Sequence, residues 1–573
     1  MHRHLLPIGL GLALLSCTGC GSAPRAERHG AQVPFATLEA EGPEATTSGR
    51  VVMMTTPVEY APESEASGYG FVQLDRVGEQ VEFRAAAAAD RIVVRHCIPD
   101  AADGGGIDAT LGLYVNGDRR ASLHLSSRRT WLYGDGKPYS NGQSQTPTPY
   151  PHVYWDETAA EIPGGVRAGD RVRLQKDAGD EAAYYRIDLV ELDSAGAPLP
   201  APAGAVSASE FGADGGDAAS DTAALTAAVA AAKERGAVLY LPPGRYLLDA
   251  GLKLDGVRVQ GAGMWHTRID YTVVPERWTG IFHLAGSGAA VSDLAIDGPC
   301  TSRKGMLHAF TGAAQGWAVR RVWISHTNTA FWVGGEDGLV QGCRVRFTCA
   351  DGININNGKT HAAKRIVVED NHVRGTGDDG IAILCHEAEK GQRPEDRETR
   401  DVVVRRNTVA MPWWASCIDL AGGSGHVIED NLCSGTGLIV NLPGAYPMQP
   451  QGPAVIRRNR IVGGGTSYRD QRRGALWIYA GSTAIDGLVV EDNLIERPLF
   501  KGIDIQGSHP QRITFRGNRI VAPGEDAIVI GPQARGEGRF AGTIIEGLPA
   551  GRQPILNRSK DYAVVDATVP PRP

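Results

Sequence analysis

A chain of 573 residues is too long for one ordinary hydrophobic core and predicts either two domains or one long repetitive domain. Its 73 Gly and 34 Pro, with only 6% aromatic residues, argue against a helix bundle and for many short strands and turns. A formal net charge of −7 is mild for this size and, with no basic cluster to follow a phosphate backbone, excludes nucleic acid as a partner.

In chain order, the opening MHRHLLPIGLGLALLSCTGCGS has a basic start at Arg3 and an apolar run from Leu5 to Leu15 that is too short to span a bilayer. Residues 1–20 therefore read as a secretory signal. Leu14, Leu15 and Ser16 directly precede Cys17 in the manner of a bacterial lipobox, and Cys20 is the second candidate for lipid attachment. The expected location is extracellular or in the cell envelope, with membrane contact only through that lipid. The other cysteines, Cys97, Cys300, Cys343, Cys349, Cys385, Cys417 and Cys433, contain no CxxC pair, so zinc spacing is absent. Buried thiols are expected, with one or two disulfides allowed by the compartment.

After a polar leader at 21–33, residues 34–193 alternate in strand fashion through YGFVQL, QVEFRA, RIVVRHCI, TLGLYVNG, ASLHL, RVRLQ and YYRIDLVEL. Asn116-Gly117 is a strong hairpin turn, and seven or more short strands predict a β-sandwich. The Pro- and Ala-rich stretch 194–209 reads as a linker. Beyond it Asp221 is placed to cap a helix of small apolar residues that ends near Gly236.

A motif then recurs as VSDLAI, VRRVWI, VQGCRV, VEDNHV, VRRNTV, IEDNLC, IRRNRI, VEDNLI and FRGNRI. Its fourth positions are Leu294, Val322, Cys343, Asn371, Asn407, Asn431, Asn459, Asn493 and Asn518, at intervals between 21 and 36 residues. Such intervals fit a solenoid whose coils keep one strand constant and vary their loops. Asn tolerates left-handed backbone at a tight bend and can bond to neighbouring coils, which suits the six motif positions that carry it. The fold class is all-β: a sandwich followed by a right-handed parallel β-helix over 210–573, its repeats running from about Gly256 to Ala541, with the helix capping its open end.

Within that solenoid TCADGININN, from Thr348, is followed one coil later by GTGDDGIAILC, from Gly375. Asp351 and Asp378 are 27 residues apart, and equivalent positions on neighbouring coils stack at about 4.8 Å, so Asp351 and the Asp378-Asp379 pair should share one side. Gly375, Gly377 and Gly380 permit a bend at which both acids of the pair reach a groove. Carboxylates at that range cannot all ionise freely, and a retained proton beside a free carboxylate is what glycosidic cleavage needs. The alternative is solvated turn aspartates. Trp332, Trp413, Trp414 and Trp477 lie in nearby coils, with Asn354 and a long loop carrying His386, and are candidates for sugar contact; each Trp could equally pack under a loop.

The series LAIDG, RRVWISHTNTAFWVGG, CRVRFTCADGININNG, NHVRGTGDDGIAI and GALWIYAGSTAIDGLVVEDNLIERPLFKGIDIQG resembles the catalytic β-helix of glycoside hydrolase family 87, the α-1,3-glucanases (mutanases) and mycodextranases. The resemblance implies a sandwich joined to a β-helix and inverting hydrolysis of α-1,3 links in an α-glucan. It maps the catalytic acids onto Asp351, Asp378 and Asp379 and implies no catalytic cofactor. GKTHAAK lengthens the interval between the acids relative to the family. In the sandwich, ATLEAEG and YYRIDLVEL are similar to carbohydrate-binding modules of families 6 and 35, which implies a structural calcium held by Glu39, Glu41 and Asp188; an ordinary acidic strand edge is the alternative. A monomer acting on a polysaccharide is expected. Polygalacturonases share the Asp and Asp-Asp arrangement, but their Gly-His-Gly and Arg-x-Lys have no counterpart after Cys385, so a neutral glucan is favoured over pectin. A lyase, which wants a calcium cluster and a basic groove residue, and a noncatalytic binding solenoid are the remaining alternatives.

Overall fold

In the computed structural model, which describes residues 29–566 apart from 59, 138–143, 359–360, 413, 441–446, 466–471 and 482, nearly every element is a strand. The segment expected to be a signal, with Cys17 and Cys20, and also Trp413, lie outside the described residues. Strand alternation between Ala36 and Asp193 resolves into two antiparallel sheets of six and five strands. Their inward residues, among them Val72, Val94, Leu113, Val172 and Ile187, form one buried core.

Parallel pairing starts where Val206–Ser207 meets Val238–Leu241 and runs on to Asp561–Val565. Successive coils build a sheet of 24 strands and a second of 12, with Ile, Val, Leu and Phe side chains stacked inside. The helix Thr222–Arg235 buries Leu225, Ala228, Val229 and Ala232 against the first coils and so covers their open end. Asp221 does not cap it through its side chain. Its two carboxylate oxygens instead accept from the backbone N–H groups of Asp214 and Leu247, tying the helix start to the first coil.

The recurring motif marks a sharp bend, and the expectation that its Asn takes the left-handed conformation is corrected. The residue before it does: φ is 57° at Asp370, 52° at Arg406, 57° at Asp430, 50° at Arg458 and 53° at Asp492. The Asn side chains turn inward as a ladder. Asn407 Oδ1 accepts from the backbone N–H and side-chain amide of Asn371, and the same pair of bonds repeats through Asn431, Asn459, Asn493 and Asn518. Each buried amide is thereby satisfied at a bend where the backbone ladder is interrupted.

The sandwich packs against the solenoid through buried charge. Glu157 pairs with Arg374 at 2.6 Å and Arg346 at 3.1 Å, Glu191 with the same two arginines, and Asp193 with Arg344 at 2.5 Å. His326 stands between Asp297 and Asp156, at 2.5 and 3.0 Å. Burial alone would lower its pKa, but the two carboxylates outweigh that and hold it up to about 9. All seven described cysteines are buried free thiols.

Candidate active site

Two matching turns carry the acids onto the 12-stranded sheet. Thr348 Oγ1 donates to Ala350 O and, one coil on, Thr376 Oγ1 donates to Asp378 O, each at 2.8 Å. Ile353 pairs with Ile381, so a coil here is 28 residues and Asp351 is in register with Asp379 rather than with Asp378. Asp378 stands one residue earlier, opposite Ala350, and its N–H donates to Ala350 O. The glycines of the second turn act by space as much as by conformation. A Cβ at Gly377 would lie 2.1 Å from Tyr154 Oη and 2.2 Å from Cys349 O, and one at Gly380 would lie 2.2 Å from Val409; only Gly375 has a positive φ, 65°. Tyr154 belongs to the sandwich, so that domain packs directly behind the acid-bearing turn.

Asp351, Asp378 and Asp379 each place one carboxylate oxygen within 4.8 Å of the others, the sole group of three acids this tight among the described residues. Burial, then the charge of Asp378, pushes Asp351 up to about 7. Burial holds Asp379 well above the carboxylate range, with the nearby acids adding to it. Each is oriented by neutral donors: Asn354 Nδ2 donates to Asp351 Oδ2 at 2.7 Å, and Ser416 gives both its backbone N–H (3.0 Å) and its hydroxyl (2.5 Å) to Asp379 Oδ1. Asp378 is ion-paired with Arg303, whose other nitrogen donates to Gly377 O at 2.6 Å. The cluster can therefore hold a protonated acid beside a carboxylate that is ion-paired with a guanidinium.

Of the other sequence candidates, Asn354 is fully buried and orients Asp351 rather than facing the groove. Trp332 is half-buried one coil before Asn354 and packs at 5.0 Å, centroid to centroid, against Trp278, which is 56% exposed. Trp477 is 3% exposed, covered by Arg473 4.0 Å from its ring centre, so the expectation that it is an exposed sugar platform is corrected. Trp414 lies edge-on to His152 of the sandwich at 6.5 Å. His386 anchors its loop by exchanging two backbone bonds with the Asn357 side chain.

Sequence reading missed four residues here. Arg303 comes from a loop with no local signal. Trp278 lies face to face with the buried His308 ring at 4.2 Å, and His308 leads through Thr329 along the row that ends at Asp351. Asp419 continues the Asn354–Ala382 register one coil further and is legible once that register is known.

In the sandwich, Glu39 Oε2 and Glu41 Oε2 are buried without hydrogen-bond partners, a fit for a hard cation. Asp188 lies near enough to raise both, but one of its oxygens is ion-paired with Arg95 and the other accepts from Ser67 N–H at 2.9 Å. Two of the three expected ligands are thus poised and the third is already neutralised. Burial, then Asp188, pushes Glu39 up to about 7 and Glu41 to about 8.

Comparison with known proteins follows this division. Residues 32–195 match the family model for the α-1,3-glucanase catalytic domain D1, and residues 205–416 match the pectate-lyase-like rhamnogalacturonase A/epimerase model. Among solved structures, the Agl-KA catalytic domain superposes with a TM-score of 0.82 at 24% identity, over 94% of this chain and 98% of that one. The catalytic unit of the thermostable GH87 α-1,3-glucanase of Streptomyces thermodiastaticus strain HF3-3 gives 0.76 at 25% identity, over 95% and 97%. A GH87 α-1,3-glucanase catalytic domain in complex with nigerose gives 0.78 at 21%, over 94% and 99%. Comparison with curated proteins gives no match. The fold of GH87 α-1,3-glucanase catalytic domains is therefore shared across both domains, and the family-model match over the sandwich is to the D1 domain rather than to a carbohydrate-binding module.

Proposed function

We propose that this chain is a glycoside hydrolase that cleaves α-1,3-glucosidic links in an α-glucan with inversion. The observation that carries the reading is the cluster itself, a buried Asp379 held toward its protonated form within 4.8 Å of Asp351 and Asp378. Asp379 gives its proton to the glycosidic oxygen as the bond to C1 breaks. Asp351 and Asp378 position a water and take its proton as its oxygen bonds to C1. Taken alone, oxygens this close match a retaining pair, about 5–5.5 Å apart, better than an inverting pair at about 6.5–9.5 Å. Inversion is proposed from the family 87 likeness.

A lyase is favoured by the pectate-lyase-like family match over residues 205–416, by three acids close enough to hold a cation, and by Arg303 as a basic residue in the groove. The pairing of Arg303 with Asp378 holds the guanidinium charged, however, and a charged arginine cannot abstract a proton. A purely binding solenoid has no use for acids kept protonated by burial. Reducing-sugar release from α-1,3-glucan, polygalacturonate and dextran separates these readings: release from α-1,3-glucan alone is expected, and release only from polygalacturonate, or from none, would defeat the proposal.

The substrate path extends over the Trp278–Trp332 surface. Trp278→Ala should raise KM for polymeric glucan up to about tenfold, the size of one lost aromatic contact, and leave kcat nearly unchanged; an unaltered KM would remove the surface from the path.

Calcium at Glu39 and Glu41 is the second part of the proposal. Because the folded pKa values of about 7 and 8 exceed the ordinary 4.5, the native state binds more protons than the unfolded chain between these limits. Without a cation, stability therefore falls as pH rises through that window. A cation on the ionised glutamates reverses this, so added calcium should raise the melting temperature more at pH 8 than at pH 5. No calcium effect at either pH would leave these as buried acids without a metal. Export, with lipid on Cys17 or Cys20, belongs to the same proposal and rests on the first twenty residues.

A further inference from the structure

Asp419 is the most anomalous polar residue of the groove wall. It sits on the strand Ile418–Ala421, in register with Ala382 and, one coil before, Asn354. Its exposure is 0%, and among the described residues neither carboxylate oxygen has a well-formed hydrogen-bond partner, the neighbouring Leu420 backbone being the one polar group that favours its charge. An ionised carboxylate in that condition is costly, and the usual remedy is to keep a proton. The nearest groups that can share one are the acids already described. The row it occupies has the small Ala382 on the preceding coil, and it stands three positions after Ser416, which continues the row of Asp351 and Asp379 by one coil.

Asp379 is engaged from one side only. Ser416, three residues before Asp419 on the same turn, spends both its donors on Asp379 Oδ1. Among the described residues, none donates to Asp379 Oδ2. The charged and titratable groups facing Asp379 are Asp378 on its own turn, Asp351 on the preceding coil and Asp419 on the following one. Arg303 lies behind Asp378, and Tyr154 behind the turn. Asp419 in turn faces Asp351 and Asp378 as well as Asp379. Four carboxylates thus answer to one guanidinium. Burial, with Asp419, Asp378 and Asp351 adding to it, holds Asp379 above the carboxylate range.

Resting on the hydrolase reading, we propose that Asp419 is a fourth member of the acid cluster, a positioning residue that shares a buried proton with Asp379 and so keeps Asp379 able to act as the acid at neutral pH. It need not touch the substrate. The two carboxyls behave as one unit: the first proton leaves easily, and the second is retained until a higher pH than either group would show alone.

Asp419→Asn keeps the shape and removes the shared charge. The basic limb of the kcat/KM profile on α-1,3-glucan should then move about one pH unit or more toward acid, with KM within about twofold and activity at the acid optimum retained. An unmoved limb together with a raised KM would make Asp419 a substrate contact, and an enzyme unchanged at every pH would make it a spectator; either overturns the proposal. A direct reading independent of turnover is the infrared carboxylic-acid C=O stretch of the whole protein. In the wild type part of that band should persist above pH 7, and in Asp419→Asn, or in Asp419→Ser should the first variant melt early, it should weaken and vanish at lower pH. A wild-type band already absent at pH 7 would refute the shared proton. A wild type inactive on α-1,3-glucan with the band present would instead sink the hydrolase reading and leave the acid pair standing.

Discussion

Asp379→Asn should lower kcat on α-1,3-glucan by about 10³-fold, within the 10²–10⁴ that general acid catalysis contributes, while sparing much of the activity on α-glucosyl fluoride. The physical reason is the leaving group. A glucan oxygen needs a proton as the bond breaks, whereas fluoride departs without one, so loss of the acid matters only for the first. Asp379 is the member of the trio kept protonated by burial and by its neighbours, and it is the one held by two Ser416 donors in a fixed position. Asp351→Asn and Asp378→Asn should lose activity on both substrates, because water activation is common to both. Equal losses in all three variants would leave the cluster catalytic and refute this division of labour. Near-normal activity in any one would remove that residue from the mechanism.

The largest effect on stability is expected at the seam between the two domains. Arg374 is 3% exposed and bridges Glu157 and Glu191, which are themselves buried. Arg374→Ala should cost about 3–5 kcal/mol, the range for breaking a buried pair and leaving a charge uncompensated. Loss of Arg516 from its surface pair with Glu491, by contrast, should cost at most about 1 kcal/mol. Chemical denaturation of the two variants beside the wild type checks the contrast. Because Tyr154 and Asp156, which stand in the same sandwich wall as Glu157, back the acid-bearing turn and His326, Arg374→Ala should also depress activity before global unfolding. A seam variant as stable as the surface variant would mean that the sandwich rests on the solenoid without being coupled to it.

Much of this architecture is legible in the sequence because its physics is periodic. The motif positions from Leu294 to Asn518 announce one bend per coil, and a buried amide ladder is the natural use of Asn at a bend whose backbone bonds are interrupted. The acids are legible because both turns repeat Thr, then Asp-Gly, then alternating apolar residues. Where reading erred, a single residue of register decided it. Counting 27 residues aligned Asp351 with Asp378, whereas Thr348 and Thr376, 28 apart, give the true coil and bring Asp379 into line.

What stays hidden is whatever depends on three-dimensional neighbours without a periodic partner. Arg303 enters the site from a connecting loop, and nothing near it in sequence points there. Trp477 looks like a sugar platform until Arg473 is seen to lie over it. Asp188 looks like a metal ligand until Arg95, far off in sequence, is found on its carboxylate. For Trp477 and Asp188 a charged side chain, four residues earlier in the first case and on another strand in the second, changes the role that the residue type alone suggests.

The measurement that tests the central claim most directly is a proton NMR time course of wild-type enzyme acting on a soluble α-1,3-gluco-oligosaccharide. The acid-cluster hydrolysis proposed here predicts new reducing-end signals from cleaved α-1,3 links, with the β anomer formed first and the α anomer growing in only by mutarotation. An unsaturated product signal would put elimination in place of hydrolysis, the α anomer formed first would replace inversion by retention, and an unchanged substrate spectrum would contradict the account altogether.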